Sequence, residues 1–191
     1  RRFKMATDID PKFYRAWAYL AMAYSAVGKL DEAIEAYRKC IDIEPTYHKA
    51  YNNIGELYRR KGLLDYAAMV FKMATELDAN HPHYFYNLGI TYFEIGMLPQ
   101  AEDALAQAHT MEPADFEFAS ELAQVQFNRR RFDEALKTLT AFVGAAPDHD
   151  RVPEIQARLG MLKRRAEEEK KNPGKTAPSD PGKPAAKDTG D

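Results

Sequence analysis

Large and small apolar residues recur along this chain at spacings of 3 and 4, the signature of one face of a helix. The same pattern returns every 34 residues. Trp17, Tyr51, Phe85 and Ala119 stand one period apart, as do Leu20, Ile54, Leu88 and Leu122. A small column follows each large one: Ala21, Gly55, Gly89 and Ala123, then Tyr24, Tyr58, Tyr92 and Gln126. Later in each period come Ala33, Ala67, Ala101 and Ala135, then Tyr37, Phe71, Leu105 and Leu139, then Cys40, Ala74, Ala108 and Phe142. Each unit closes at Pro11, Pro45, Ala79, Pro113 or Pro147.

These columns predict two amphipathic helices per period. A turn centred on Gly28, Gly62, Gly96 and Arg130 separates them, and glycine suits the left-handed backbone just past a helix end. Asp31, Asp65 and Asp133 open the second helix, where an acid favours the positive end of the helix dipole. Pro99 takes that place in the third unit, as proline can in a first helical turn. The tiny columns let helices approach closely and the aromatic columns fill the space beside them. One hairpin cannot bury such a face alone, so the units must stack.

The runs Trp17-x-x-Leu20-Ala21-x-x-Tyr24, Tyr51-x-x-Ile54-Gly55-x-x-Tyr58 and Phe85-x-x-Leu88-Gly89-x-x-Tyr92 resemble the tetratricopeptide repeat family. The resemblance implies an all-α, right-handed solenoid of helix hairpins. Four units are expected at 14–47, 48–81, 82–115 and 116–149. The fourth departs from the pattern at Ala119, Gln126 and Phe142, which predicts less regular packing there. Residues 1–13 read as the second half of a truncated unit, with Phe3, Ala6 and Pro11 in register. After Pro147 the register slips: Leu159-Gly160 repeats the Leu-Gly pair three residues late, and residues 150–171 read as a capping helix. Residues 172–191, with several prolines, glycines and lysines and no aromatic, are expected to be a disordered tail.

Composition narrows the function. The formal net charge of −2 over 191 residues lacks the basic excess of a nucleic-acid binder, so no nucleic-acid partner is expected. No apolar run reaches the length of a membrane-spanning helix. The single cysteine, Cys40, excludes an intrachain disulfide and a multi-cysteine metal site. It sits in a small-residue column and reads as a buried filler. It is compatible with either a cytoplasmic or a periplasmic setting. His48, His81, His83, His109 and His149 show no metal-ligand spacing, and His81 and His83 read as a solvated pair flanking Pro82. No phosphate-binding glycine loop or nucleophile elbow appears. No cofactor, metal or catalytic residue is expected, and the chain reads as a non-enzyme. The triplet Arg129-Arg130-Arg131 reads as a solvated basic turn.

The family resemblance implies a concave groove lined by the first helix of each hairpin. Carried over by column, its candidate partner-binding residues are Tyr19, Met22, Asn52, Asn53, Arg59, His83, Tyr86, Asn87, Ile90, Phe93, Gln124 and Phe127. The aromatic and aliphatic members would anchor a peptide segment, and the asparagines would pair with its backbone. Chaperone-binding relatives clamp a C-terminal carboxylate with Lys and Asn in one unit, Asn in the next, and Lys and Arg in the third. The matching columns here hold Ala18, Met22, Asn53, His83 and Asn87, so the clamp is not expected. Asn53 and Asn87 also resemble two rungs of the asparagine ladder of O-linked N-acetylglucosamine transferases. The expected function is a scaffold or adaptor that holds another protein, with self-association through the repeat end as a further expectation. Two alternatives are a pilotin-like periplasmic assembly factor for a pilus or secretion complex, and the repeat region of a larger enzyme.

Overall fold

In a computed structural model, residues 2–172 are described, and they form ten α-helices and no strand. A short α1 (Arg2–Ile9) precedes four hairpins: α2 (Tyr14–Ala26) with α3 (Leu30–Ile43), α4 (His48–Arg60) with α5 (Leu64–Leu77), α6 (Pro82–Ile95) with α7 (Leu98–Met111), and α8 (Phe116–Asn128) with α9 (Phe132–Ala145). A longer α10 (Val152–Lys171) packs on α9. Each helix packs on the next in sequence, within hairpins and between them. The result is an all-α solenoid. The expected disordered tail lies, apart from Asn172, outside the described residues.

The hairpin turns share one geometry. Gly28, Gly62 and Gly96 have φ of +77°, +72° and +90°, and Arg130 takes the same left-handed conformation at φ +61°. Immediately before each second helix, Lys29, Leu63, Met97 and Arg131 donate backbone N–H bonds to the carbonyls of Tyr24, Tyr58, Tyr92 and Gln126 at 2.9, 2.9, 2.8 and 2.8 Å. This closure satisfies first-helix carbonyls that would otherwise lack partners.

The size alternation sets the packing. Ala21, Ala33, Ala67, Ala101, Ala135, Phe71, Leu105 and Leu139 are wholly buried. A Cβ at Gly55 would sit 2.6 Å from the Phe71 ring, and one at Gly89 2.6 Å from Leu105 Cγ. Successive units are also tied by polar bonds. The Trp17 indole N–H donates to the Pro11 carbonyl at 2.9 Å, and the Tyr51 hydroxyl donates to the Pro45 carbonyl at 3.0 Å.

The fourth unit is irregular in sequence for a reason visible in space. Its large and small columns are exchanged: Ala119 stands where Trp17 does and Phe142 where Cys40 does, and both are fully buried in one cluster. Gln126, in the tyrosine column, is buried too. Its amide oxygen accepts from the Thr138 hydroxyl at 2.9 Å, and its amide N–H₂ points at Glu102 at 3.5 Å.

Three expectations are corrected. The arginine triplet is not a solvated turn. Arg129 and Arg131 both pair with the buried Glu102 carboxylate, Arg131 at 2.6 Å, and Arg130 pairs with Glu169 of α10. A carboxylate that is only 5% exposed is costly to leave without a partner, so the triplet holds the third and fourth hairpins and the cap together. Gly160 does not repeat the close-approach glycine, since a Cβ there would meet nothing within 4 Å. Val152, Ile155, Leu162 and Ala166 carry the packing of α10 instead. His81 is not a solvated loop residue. It stands at the cap of α6 with its ring stacked on Tyr84, centroids 4.0 Å apart.

Candidate functional site

The first helices of the hairpins, α2, α4, α6 and α8, stand side by side, and their shared face carries the expected binding residues. Its side chains are bridged from one repeat to the next. Arg60 donates to the Ser25 hydroxyl at 2.9 Å, linking α4 to α2. The Asn87 amide donates to the Asn52 amide oxygen at 2.9 Å, and Arg59 pairs with Glu94 at 2.7 Å, linking α4 to α6. His83 and Tyr86 pack on Phe118 of α8, at 5.2 and 5.1 Å between centroids. Arg158 of α10 donates to Ser120 at 3.0 Å and to Gln124 at 2.7 Å.

These bridges divide the expected residues into two groups. Tyr19 and Met22 are open, at 48% and 52% exposure, with the Tyr19 ring stacked on Phe3 at 5.5 Å. His83 is exposed as well. The others are engaged. Asn53 donates to the Tyr37 hydroxyl at 2.8 Å. Asn52, Asn87, Arg59 and Gln124 take part in the bonds above. Tyr86, Ile90 and Phe93 are half-buried against a core of Ala101, Leu105, Leu122 and Val125. Phe127 packs edge-on to Phe132 at 5.4 Å, within the core that joins the fourth hairpin to α10. The half-buried aromatics therefore build the stack as well as its surface. The two asparagines read as ladder rungs each make a side-chain bond inside the stack, and amides keep further donor and acceptor capacity.

A depression of about 280 Å³ lies on this face between α2 and α4. Met22, Ser25, Tyr37, Asn53, Glu56 and Arg60 form its walls. Burial pushes the Tyr37 hydroxyl up to about 12, so it stays protonated and serves as a neutral hydrogen-bonding group. Charge is graded along the face. Arg15, Lys49 and Arg60 lie on α2 and α4, and Glu94, Glu117 and Glu121 on α6 and α8. Burial raises Glu121 above the usual carboxylate range, with Arg158 opposing the shift, and burial lowers Arg158 while Glu121 opposes it.

Two members of the face were missed from the sequence. Arg158 stands 34 residues after Gln124, so continuing the period past Pro147 would have found it. Tyr37 belongs to a core column of α3 and carries no sequence signal that its hydroxyl reaches the face. Cys40 is wholly buried, and burial pushes its thiol up to about 11. That leaves it protonated and unreactive. Among the described residues no group of three or more histidine, cysteine or acidic side chains is placed to hold a metal ion. No helix there is long and apolar enough to cross a membrane.

The fold is shared with several solved structures. YrrB, a tetratricopeptide protein with an unusual peptide-binding site, matches with a TM-score of 0.70 at 22% identity, covering 88% of each chain. The pilF protein of Pseudomonas aeruginosa matches at 0.68 and 21% identity, over 90% of this chain and 82% of its own. The first repeat domain of Spaghetti (RPAP3), bound to the HSP90 peptide SRMEEVD, matches at 0.59 and 23% identity, over 61% of this chain and 93% of its own. No curated protein matches by sequence. The family model for the cilia and flagella-associated protein 70 C-terminal domain matches residues 5–141. With the period, the hairpin stack and this match all in agreement, the chain belongs to that tetratricopeptide repeat family.

Proposed function

We propose that this chain is a non-catalytic scaffold that holds a peptide segment of another protein along the shared face of α2, α4, α6 and α8. The observation that carries the reading is the pair Tyr19 and Met22. Both are large and half-exposed, and Met22 lines the 280 Å³ depression; such side chains supply most of the energy when a peptide docks. Around them lie fixed polar groups, Asn53 and Arg60, held by Tyr37 and Ser25. Pre-ordered groups lose little entropy on binding. Peptide-bound or peptide-binding neighbours with the same fold, RPAP3 and YrrB, support the reading. The ligand here differs from a peptide anchored by its terminal carboxylate, since Ala18, His83 and Asn87 stand where the cations of such a clamp would be.

Tyr19→Ala with Met22→Ala tests this directly, because neither side chain belongs to the buried core. Tyr86 and Phe93 are poorer choices, since they also pack between repeats. Partner peptides selected on the parent chain are expected to bind the double variant at least about tenfold more weakly. Asp103→Ala with Gln107→Ala, on the outer side of α7, should leave affinity unchanged. Equal losses in the two variants would reject the face.

A further inference from the structure

The depression of about 280 Å³ between α2 and α4 takes one of its walls from a third helix. Tyr37 belongs to α3, behind the shared face, and is only 2% exposed, yet it lines the depression. Its hydroxyl accepts a bond from the Asn53 side-chain amide at 2.8 Å. Among the described residues nothing accepts the Tyr37 hydroxyl proton, and nothing donates to the Asn53 amide oxygen. A donor and an acceptor are thus left side by side with capacity unused. Reversing the pair, so that Tyr37 donates to the amide oxygen, leaves the Asn53 N–H₂ as donor and the phenol oxygen as acceptor. One of each is presented either way.

The next two junctions do not repeat this pair. One period on, Phe71 stands in the Tyr37 column, and Asn87, in the Asn53 column, bonds to Asn52 at 2.9 Å. Two periods on, the same columns hold Leu105 and Glu121. A core column that is otherwise apolar therefore carries a hydroxyl where it borders this depression. The remaining walls are mixed. Met22, Ala26 and Leu57 are apolar, and the charged lining residues are one of each sign, Glu56 and Arg60. Arg60 is held by the Ser25 hydroxyl at 2.9 Å, and Glu56 lies 3.8 Å from Arg59.

We infer that this depression is the subsite for a glutamine or asparagine side chain of the bound peptide. The inference rests on the peptide-binding reading of the face and adds the residue type that is recognised. A primary carboxamide carries an acceptor oxygen and N–H donors on one group, so it can complete both unused bonds of the Tyr37–Asn53 pair at once. Its methylene stem suits the apolar walls at Met22 and Leu57. A carboxylate would meet Glu56 and a cation would meet Arg60, so a charged side chain of either sign faces a like charge. An aliphatic side chain would cover the pair without satisfying it, which is costly. The main chain is a poorer match than a side chain. A backbone lying along the face rests on the exposed Met22 and Arg60, whereas the Tyr37 hydroxyl is set back on α3.

The probe is a display library of short random peptides selected on the full chain. Peptides that bind through Tyr19 and Met22 are expected to share a glutamine or asparagine at one position. Replacing that residue by leucine or by glutamate should weaken binding at least about tenfold. Tyr37→Phe removes one hydroxyl and copies Phe71 of the second repeat. It should lose the same factor for the amide-bearing peptide and bind the glutamine and leucine forms alike, as coupled groups do in a double-mutant cycle. Asn53→Ala, at a half-exposed position, should do the same, so the test stands even if Tyr37→Phe folds poorly. Tyr19→Ala with Met22→Ala should weaken every form while keeping the ratio between them. Peptides that need Tyr19 and Met22 but share no amide would overturn the subsite and leave the binding face standing. Equal binding of the glutamine, leucine and glutamate forms would assign the pair to the peptide main chain and overturn the proposal as well. A library that yields no binder dependent on Tyr19 and Met22 would overturn both readings.

Discussion

Gly55 and Gly89 set how closely the paired helices of the second and third hairpins approach. Each would need its neighbour to move if it carried a Cβ, because the Phe71 ring and Leu105 lie at 2.6 Å. Both neighbours are fully buried, so they have nowhere to go. Gly55→Ala and Gly89→Ala are each expected to cost about 1–3 kcal/mol, read as a lower urea midpoint. Ala21 shows that the first hairpin accommodates the methyl, being fully buried itself. His109 is the other informative residue. It is buried in α7, its Nδ1 has no hydrogen-bond partner among the described residues, and burial holds its pKa below the ordinary value, with Asp115 opposing. The fold thus keeps a neutral imidazole, whereas the unfolded chain takes up a proton near pH 6.5. Stability is full above that pH and falls as pH drops below it. His81, held down by burial as well, acts in the same direction. His109→Thr, which copies Thr75 one period earlier, should reduce the loss of urea midpoint between pH 7.5 and 5.5. An unreduced slope would contradict this assignment.

At the scale of single elements, the turns and the cap show what the chain pattern encodes and where it fails. Glycine at the first three turns announces a left-handed residue. Arg130 adopts the same conformation without being glycine, at a strain of about 1–2 kcal/mol. Its side chain pairs with Glu169 near the end of α10, a contact the turn column cannot announce because it spans 39 residues. Arg130→Gly removes the strain and this clasp together, so the urea midpoint should change little. Amide exchange over residues 163–171 should nevertheless speed up. Glu169→Ala should speed it as well, without the compensating gain at the turn. Unaltered exchange in both variants would show that the clasp does not hold the cap. The fourth hairpin was legible as a hairpin but not as a well-packed one. Ala119 and Phe142 each break a column when read singly, and only their exchange of size within one cluster restores the packing. Gln126 likewise makes sense only with Glu102 and Thr138 beside it.

Over the whole molecule, burial is divided among neighbouring units. One cluster joins α2 to α5 through Ile34, Tyr37, Ile54 and Leu57, and another joins α8 and α9 to α10 through Leu139, Phe142, Ile155 and Leu162. Stability in such a stack is close to a sum of unit and nearest-neighbour contributions. Phe142→Ala should cost about 3–5 kcal/mol and act locally. Hydrogen exchange should reveal lost protection in α8–α10 with α2–α4 still protected. A uniform loss across the chain would mean that the stack unfolds as one body. The recurrence of bulky and tiny residues at a 34-residue period was enough to determine the hairpins, their order and their stacking, since each interlock is made between neighbours in sequence. The family resemblance, carried over by column, picked out the first-helix face. Only the tertiary structure decided which side chains on that face are available. Tyr19 and Met22 stand open, while Asn52, Asn87, Arg59 and Gln124 are bonded to partners about one period or more away in the chain. Whether two such groups meet depends on the distance and tilt between stacked helices, which no single column of residues records.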